Sequence, residues 1–127
     1  MAEENSITPN PSIINLEYIK EISRDNQSDA RELVSGALNQ LKEFIKIMEG
    51  YVAEENWDQL SFVTHKLRSS VRIIGATSFQ NKLTDIEKAS NKRKPTIPIL
   101  FKEVQQLSFE IIKELEKELA GPLNTSR

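Results

Sequence analysis

The sequence predicts an all-α fold, an antiparallel up-down four-helix bundle with an additional short N-terminal helix. Apolar residues recur at spacings of three and four over long stretches, and no segment alternates with a two-residue period. Short polar breaks separate the stretches, which favours helices that pack antiparallel on their neighbours. The chain has 127 residues, a length that suits one domain with one core.

The bundle is expected to span residues 13–120. Residues 1–12 carry two prolines among polar residues and are predicted to be a tail or linker, and residues 121–127 a C-terminal tail. A short first helix follows the N-terminal tail, with Asn15 available to cap it. Its apolar face consists of Leu16, Ile19 and Ile22.

The second and third helices each have a start signal. Asp29 and Glu32 have the spacing of a capping box, and Asn56 and Gln59 can open the third helix in the same way. The second stripe is Ala30, Leu33, Val34, Ala37, Leu41, Phe44, Ile45 and Met48. The third stripe is Trp57, Leu60, Val63, Leu67, Val71 and Ile74. Gly75 is well placed to end the third helix in a left-handed conformation.

The fourth and fifth helices follow the same logic. Thr77 and Gln80 suggest a capping box for the fourth helix, whose face is Phe79, Leu83 and Ile86. Pro95 disfavours helix in the residue before it, and Thr96 can cap the fifth helix. The fifth stripe is Leu100, Val104, Leu107, Ile111, Leu115 and Leu119.

Composition excludes several classes of function. The net charge is −2, which gives no general attraction to nucleic acid or to an anionic membrane. The absence of cysteine excludes disulfides, thiolate zinc sites and cysteine nucleophiles. The N-terminus lacks the apolar run of a signal peptide, and no stretch approaches the ~20 apolar residues of a membrane span. We therefore expect a soluble, monomeric, cytoplasmic domain that neither binds nucleic acid nor inserts into a membrane.

The only histidine, His65, lies in the third predicted helix. It stands two residues before Leu67, so it points about 160° away from the centre of the apolar stripe. Its face is shared, at −4, −3, +3, +4 and +7, by Ser61, Phe62, Arg68, Ser69 and Arg72. Helical spacing therefore predicts an exposed imidazole.

The neighbours of His65 favour a site that receives an anion. Serines on each side leave room at the ring, and Arg68 and Arg72 place guanidinium groups where an anion attached to the imidazole would sit. Phe62, if exposed, offers an apolar anchor to a partner. Each residue also has a structural alternative. The arginines could form the solvated face of an amphipathic helix, Ser69 and Ser70 could be neutral fillers, and Phe62 could flank the core.

The stretch "HKLRSSVRIIGA" resembles the signature of histidine-containing phosphotransfer domains of multistep phosphorelays. That pattern has a histidine, an aliphatic residue, a basic residue, two small residues, and a glycine ten positions after the histidine. The matching residues are His65, Leu67, Arg68, Ser69, Ser70 and Gly75. The upstream stretch "EENWDQLSFVTHKL" and the order of helices over residues 13–119 are also similar. Arg68 and Ser69 depart from the usual Lys and Gly, and Ser69 reduces the close approach that glycine permits.

The resemblance implies phosphoryl transfer between His65 and the aspartate of a receiver domain. It implies Nε2 as the attacking nitrogen, Arg68 as the residue that stabilises the phosphoryl oxygens, and Arg72 as a second candidate. Partner docking would involve Ser61, Phe62 and Ser69. The partners implied are response-regulator receivers and a hybrid sensor histidine kinase. Mg²⁺ would belong to the receiver, and no metal or other cofactor is expected in this chain.

Other functions stay open at this point. "HKLRSS" partly resembles the phosphoacceptor region of sensor histidine kinases, but Lys66 and Ser70 replace its acidic residue and its proline. With four glycines and no Gly-rich loop, the chain is not expected to be a self-standing ATP-dependent kinase. A non-catalytic helical interaction module is the other alternative. One histidine without a clustered second ligand disfavours a metal site.

Overall fold

The described part of the chain is all-α. A computed structural model describes residues 13–123. Its helices are α1 (Glu17–Ser23), α2 (Gln27–Glu54), α3 (Trp57–Ser70), α4 (Thr77–Asn91) and α5 (Ile97–Leu119), with a 3₁₀ turn at Arg72–Ile74. Residues 13–123 contain no strand, so the predicted all-α class is confirmed. The predicted tail at 1–12 and the last four residues, 124–127, lie outside the described residues.

The four long helices share one core. Contacts join α2 to α3, α3 to α4, α4 to α5 and α5 back to α2, and α1 packs on α2 and on the 3₁₀ turn. Fully buried side chains come from each long helix, among them Leu41, Leu67, Leu83 and Ile111. Trp57, at the start of α3, is half-buried against this core. On α1 only Ile19 is fully buried, and Ile22 is exposed, contrary to its expected place on the apolar face.

The start of α2 differs from the sequence prediction. The helix begins at Gln27, and the Asn26 side chain accepts a hydrogen bond from the Asp29 N–H at 2.9 Å. Asn26 is therefore the N-cap residue. Asp29 is the third residue of the helix, and its backbone N–H is the group that Asn26 caps. The predicted capping box at Asp29 and Glu32 is wrong. At α3 the N-cap half of the prediction is confirmed, since Asn56 accepts from the Gln59 N–H at 3.3 Å. The capping box is not closed, because the Asn56 N–H donates to the Tyr51 carbonyl.

The two later helices begin without a side-chain cap. α4 starts at Thr77 itself, after Ala76, and α5 starts after Thr96, whose side chain makes no capping bond. The predicted cap at Thr77 is therefore wrong, whereas Thr96 holds the predicted N-cap position without the side-chain bond. Gln80, expected to close the capping box of α4, instead donates from its Nε2 to the carbonyl oxygen of Arg68 at 3.0 Å. This bond ties the first turn of α4 to the last turn of α3.

Gly75 ends the connection between α3 and α4. α3 stops at Ser70, and Gly75 follows the 3₁₀ turn with φ +62°. The left-handed conformation predicted for Gly75 is present, although it ends the 3₁₀ turn and not α3. A Cβ on this residue would lie 2.5 Å from the Asn15 carbonyl oxygen, while the Asn15 N–H donates to the Ile74 carbonyl at 2.8 Å. Only glycine fits a position that combines positive φ with such a close approach.

The residues after α5 are bound to α2. Arg31 donates to the carbonyl oxygens of Leu119 and Gly121, each at 2.7 Å, which satisfies carbonyl groups at the end of α5. The Gln27 side chain donates to the Leu123 carbonyl and accepts from the Leu123 N–H. Leu123 is buried. The packed part of the chain therefore continues to residue 123.

Candidate functional site

His65 lies on the outer face of α3. The buried face of this helix consists of Leu60, Val63, Thr64 and Leu67. The His65 side chain is 61% exposed, as its helical phase predicts. The capped start of α3 and the apolar packing of its inner face thus fix an imidazole that a partner can reach.

One nitrogen of the imidazole is held by α4. His65 Nδ1 lies 3.2 Å from Oε2 of Glu87, a side chain that is only 20% exposed. An ionised carboxylate can only accept a hydrogen bond, so in neutral imidazole the proton belongs on Nδ1. Nε2 then carries the lone pair, and within residues 13–123 it has no hydrogen-bond partner. Glu87 thus orients the ring through Nδ1 and leaves Nε2 free of hydrogen bonds within residues 13–123.

Glu87 is itself held by Arg68. The Arg68 guanidinium donates from Nη1 to Glu87 Oε1, so the two carboxylate oxygens serve two different side chains of α3. Arg68 is more buried than His65, and its backbone carbonyl accepts the bond from Gln80. The arginine expected to face an incoming anion therefore has a partner inside the protein. Glu87 and Arg68 therefore place opposite charges in direct contact beside the imidazole.

Other polar and apolar groups lie on the same face as His65, Glu87 and Arg68. Ser61 donates from its hydroxyl to Asn91 Oδ1 at 2.9 Å, one turn of α3 before His65. Phe62 is 60% exposed, and Lys66 Nζ lies 5.3 Å from its ring centroid. Ser69 is exposed. The face predicted from helical spacing thus brings together His65, Arg68, Ser61, Phe62 and Ser69.

Arg72 lies apart from this arrangement. It falls in the 3₁₀ turn beyond the end of α3, so the spacing of seven residues no longer places it two helical turns above His65. Its side chain is exposed, and it has no ion pair or hydrogen bond in the described part of the chain. Arg72 is thus an exposed cation without an ion pair within residues 13–123.

Sequence reasoning missed Glu87 and Asn91. Both lie on α4 and pair with α3 residues at the same level, Asn91 with Ser61 and Glu87 with His65. One signal in the sequence could have found Glu87. Two antiparallel helices joined by a short connection around residue 75 place residues near 85 opposite His65, and Asp85 and Glu87 are the acidic residues there.

Comparisons of the chain with protein-family models, with curated proteins and with solved structures find no match. Among residues 13–123, no group of three or more His, Asp and Glu side chains could hold a metal ion. In the same range, no helix is both long and apolar enough to cross a bilayer. What the site can do follows from its own contacts.

Proposed function

We propose that this chain is a histidine phosphotransfer domain. His65 accepts a phosphoryl group from the phosphoaspartate of one receiver domain and passes it to the aspartate of another. The observation that carries the proposal is the imidazole itself, exposed on a helix with Nδ1 bound to a carboxylate and Nε2 open. The sequence pattern from His65 to Gly75, similar to that of phosphotransfer domains, supports the same conclusion.

The chemistry needs no proton transfer. The Nε2 lone pair attacks phosphorus, an N–P bond forms, and the P–O bond to the receiver aspartate breaks with the electron pair leaving on the carboxylate. The ring keeps its Nδ1 proton and becomes cationic, and the Glu87 carboxylate stabilises that charge. Transfer to a second receiver reverses these steps. Neutral imidazole is a competent nucleophile near pH 7.

Arg68 has two parts in this proposal. It holds the Glu87 carboxylate at Oε1 and so positions the group that orients His65. A guanidinium has five N–H donors, and the bond to Glu87 uses one of them. The remaining donors can contact phosphoryl oxygens, as the sequence pattern implies. Arg72 is the second candidate for such a contact, because its charge is free.

The surroundings of His65 suit a partner that covers the ring. Phe62 is the exposed apolar group closest in sequence, and Ser61 and Ser69 keep bulk away from the imidazole. A receiver domain would bring its own Mg²⁺, since phosphoryl transfer relies on positioning and on charge stabilisation. A hybrid sensor kinase is the class of protein that would supply such a receiver.

The same proposal extends to the architecture and setting of the chain. We take α2 to α5 as an antiparallel up-down four-helix bundle, with α1 as an additional helix. The hydrogen bonds from Ser61 to Asn91 and from His65 to Glu87 support antiparallel packing of α3 and α4, because residue numbers rise along one helix as they fall along the other. The domain would act in the cytoplasm as a monomer.

A transfer assay tests the proposal. The chain is mixed with a receiver domain carrying radiolabelled phosphoaspartate, and the label is expected on the chain in an acid-labile, alkali-stable form. His65→Gln should abolish labelling. The fold of the variant is compared by circular dichroism, since His65 is exposed and its loss should leave the helices intact. Label retained on His65→Gln would refute the assignment.

Incubation with ATP alone separates the proposal from its kinase alternative. No label is expected, because the sequence has no Gly-rich nucleotide loop. Label on His65 without any receiver would instead identify the phosphoacceptor region of a kinase. No label from any receiver or from ATP would favour a non-catalytic interaction module.

A further inference from the structure

A groove separates the end of α4 from the start of α5. Its volume is about 290 Å³ and it is open to solvent. Ala89 and Leu100 supply the apolar part of its lining, and Thr96 borders it. The groove therefore offers a concave apolar surface large enough for one side chain, reached from outside.

Three lysines line this groove, namely Lys88, Lys92 and Lys94. Within residues 13–123, none of them is paired with a carboxylate. Other cations nearby are paired, for example Lys82 with Glu103 at 2.9 Å. Lys88 and Lys92 are one helical turn apart, so their Cβ atoms lie roughly 6 Å from each other along one wall. The groove thus concentrates unpaired positive charge.

The groove is distinct from the His65 site. Lys88 and Lys92 point about 100° to 140° away from Glu87 around the axis of α4, at ~100° per residue. Glu87 faces α3, whereas the groove lies against α5. A ligand in the groove would leave His65 accessible.

We propose that this groove binds a short acidic peptide segment of a partner protein, with one apolar side chain seated on Ala89 and Leu100. The three ammonium groups complement carboxylates that flank such a side chain. An open groove cannot enclose most of a small ligand's surface, as small-molecule sites do, whereas a peptide continues beyond it. The lining also contains one carboxylate, Asp85, and the whole chain is acidic, which disfavours a polyanion such as nucleic acid.

The test uses a fluorescein-labelled peptide, Asp-Glu-Leu-Asp-Glu with blocked ends, and the full chain. Anisotropy should give a saturable Kd that rises with ionic strength, and amide shifts in ¹H–¹⁵N spectra should fall on residues 85–100. A peptide with glycine in place of leucine should bind at least threefold more weakly. The variant with Lys88→Ala, Lys92→Ala and Lys94→Ala should raise Kd at least tenfold. Lys82→Ala, on α4 but outside the groove, is the control, and its Kd should stay within twofold.

Two further variants sharpen the result. Asp85→Asn removes the one opposing charge and should lower Kd about two- to threefold, as expected for a group at the edge of an exposed site. His65→Gln should bind the peptide unchanged, so the proposal stands or fails separately from phosphotransfer. Absence of saturable binding up to about 2 mM peptide would overturn it. So would pyrophosphate producing the same shifts while the peptide does not, which would identify a small-anion site.

Discussion

Polar side chains are paired with one another on one side of α4, and lysines on the other are unpaired within the described residues. Toward α3 the polar groups are tied to one another, Glu87 to His65 and Arg68, and Asn91 to Ser61. Toward the groove beside α5, Lys88 and Lys92 have no carboxylate partner within residues 13–123. One helix thus carries a fixed polar network on one side and free cations on another.

The difference indicates two kinds of recognition. A reacting atom must be held in place before its partner arrives, and internal hydrogen bonds to a mostly buried carboxylate do this for His65. Lysine side chains are long and flexible, so unpaired lysines can adjust to a ligand but cannot orient one closely. Under the two proposals, the α3 side would serve phosphoryl transfer and the groove would serve docking.

Among the substitutions on the α3 side, removal of Glu87 should reduce the rate of phosphotransfer most. Glu87→Ala removes the partner of Nδ1 and leaves Arg68 unpaired, so phosphotransfer to His65 should slow about 10- to 100-fold, the range found when an outer partner of a metal-bound histidine is lost. The glutamine side chain in Glu87→Gln can still accept from Nδ1–H but carries no charge. Its transfer rate should therefore lie between that of Glu87→Ala and that of the unmodified chain. Single-turnover transfer from a labelled receiver measures both.

Glu103→Gln is the control for Glu87. It also loses a carboxylate in an ion pair with α4, but the pair is exposed and lies away from His65. Its transfer rate should stay within about twofold of the original, as for a typical surface substitution. Equal rates for Glu87→Ala and the unmodified chain would show that the contact with Nδ1 has no part in transfer.

Substitution of Arg68 should reduce the transfer rate less than substitution of Glu87. A double-mutant cycle with Glu87 tests whether Arg68 acts only through that carboxylate. Arg68→Ala should slow transfer about tenfold, since one charged hydrogen bond is worth roughly 1.4 kcal/mol or more. If Arg68 acts only through Glu87, its loss adds nothing in the Glu87→Ala background. If it also contacts the phosphoryl group, its loss slows the Glu87→Ala variant further, though by less than it slows the unmodified chain, and Arg68→Lys should recover part of the rate. We expect that Arg68 also contacts the phosphoryl group.

Ser61→Ala should have the smallest effect on this side. It removes an exposed hydrogen bond to Asn91, so the free energy of unfolding should change by less than about 0.5 kcal/mol. Transfer should change less than about twofold, because Ala is also small and leaves the space beside His65 open. A large drop in receiver affinity, measured by titration calorimetry, would instead make the Ser61 hydroxyl a docking group.

The sequence predicted the elements that depend on periodicity. The all-α class, the long stretches of helix and the outward direction of His65 follow from apolar residues three and four apart, a pattern that burial imposes directly. Gly75 was also predictable, because a left-handed position next to a helix end strongly favours glycine.

Caps and partners were harder to predict. Asn26 and Asp29 are both good capping residues three positions apart, and local sequence does not decide which one the helix uses. The pairing of Glu87 with His65 depends on the register between α3 and α4, which is set by the 3₁₀ turn and by core packing. The periodicity of a single helix predicts neither the 3₁₀ turn nor the packing between helices. Arg68 was therefore expected to face solvent, although its nearest partner is Glu87.

Trp57 gives this arrangement a built-in optical reporter. It is the only tryptophan in the chain and it opens the helix that carries His65, about 12 Å along the axis from it at ~1.5 Å per residue. Its indole is half-buried, so its emission responds to changes in solvent at that end of α3. Fluorescence of the unlabelled chain should thus follow, in real time, a receiver that covers this end of α3.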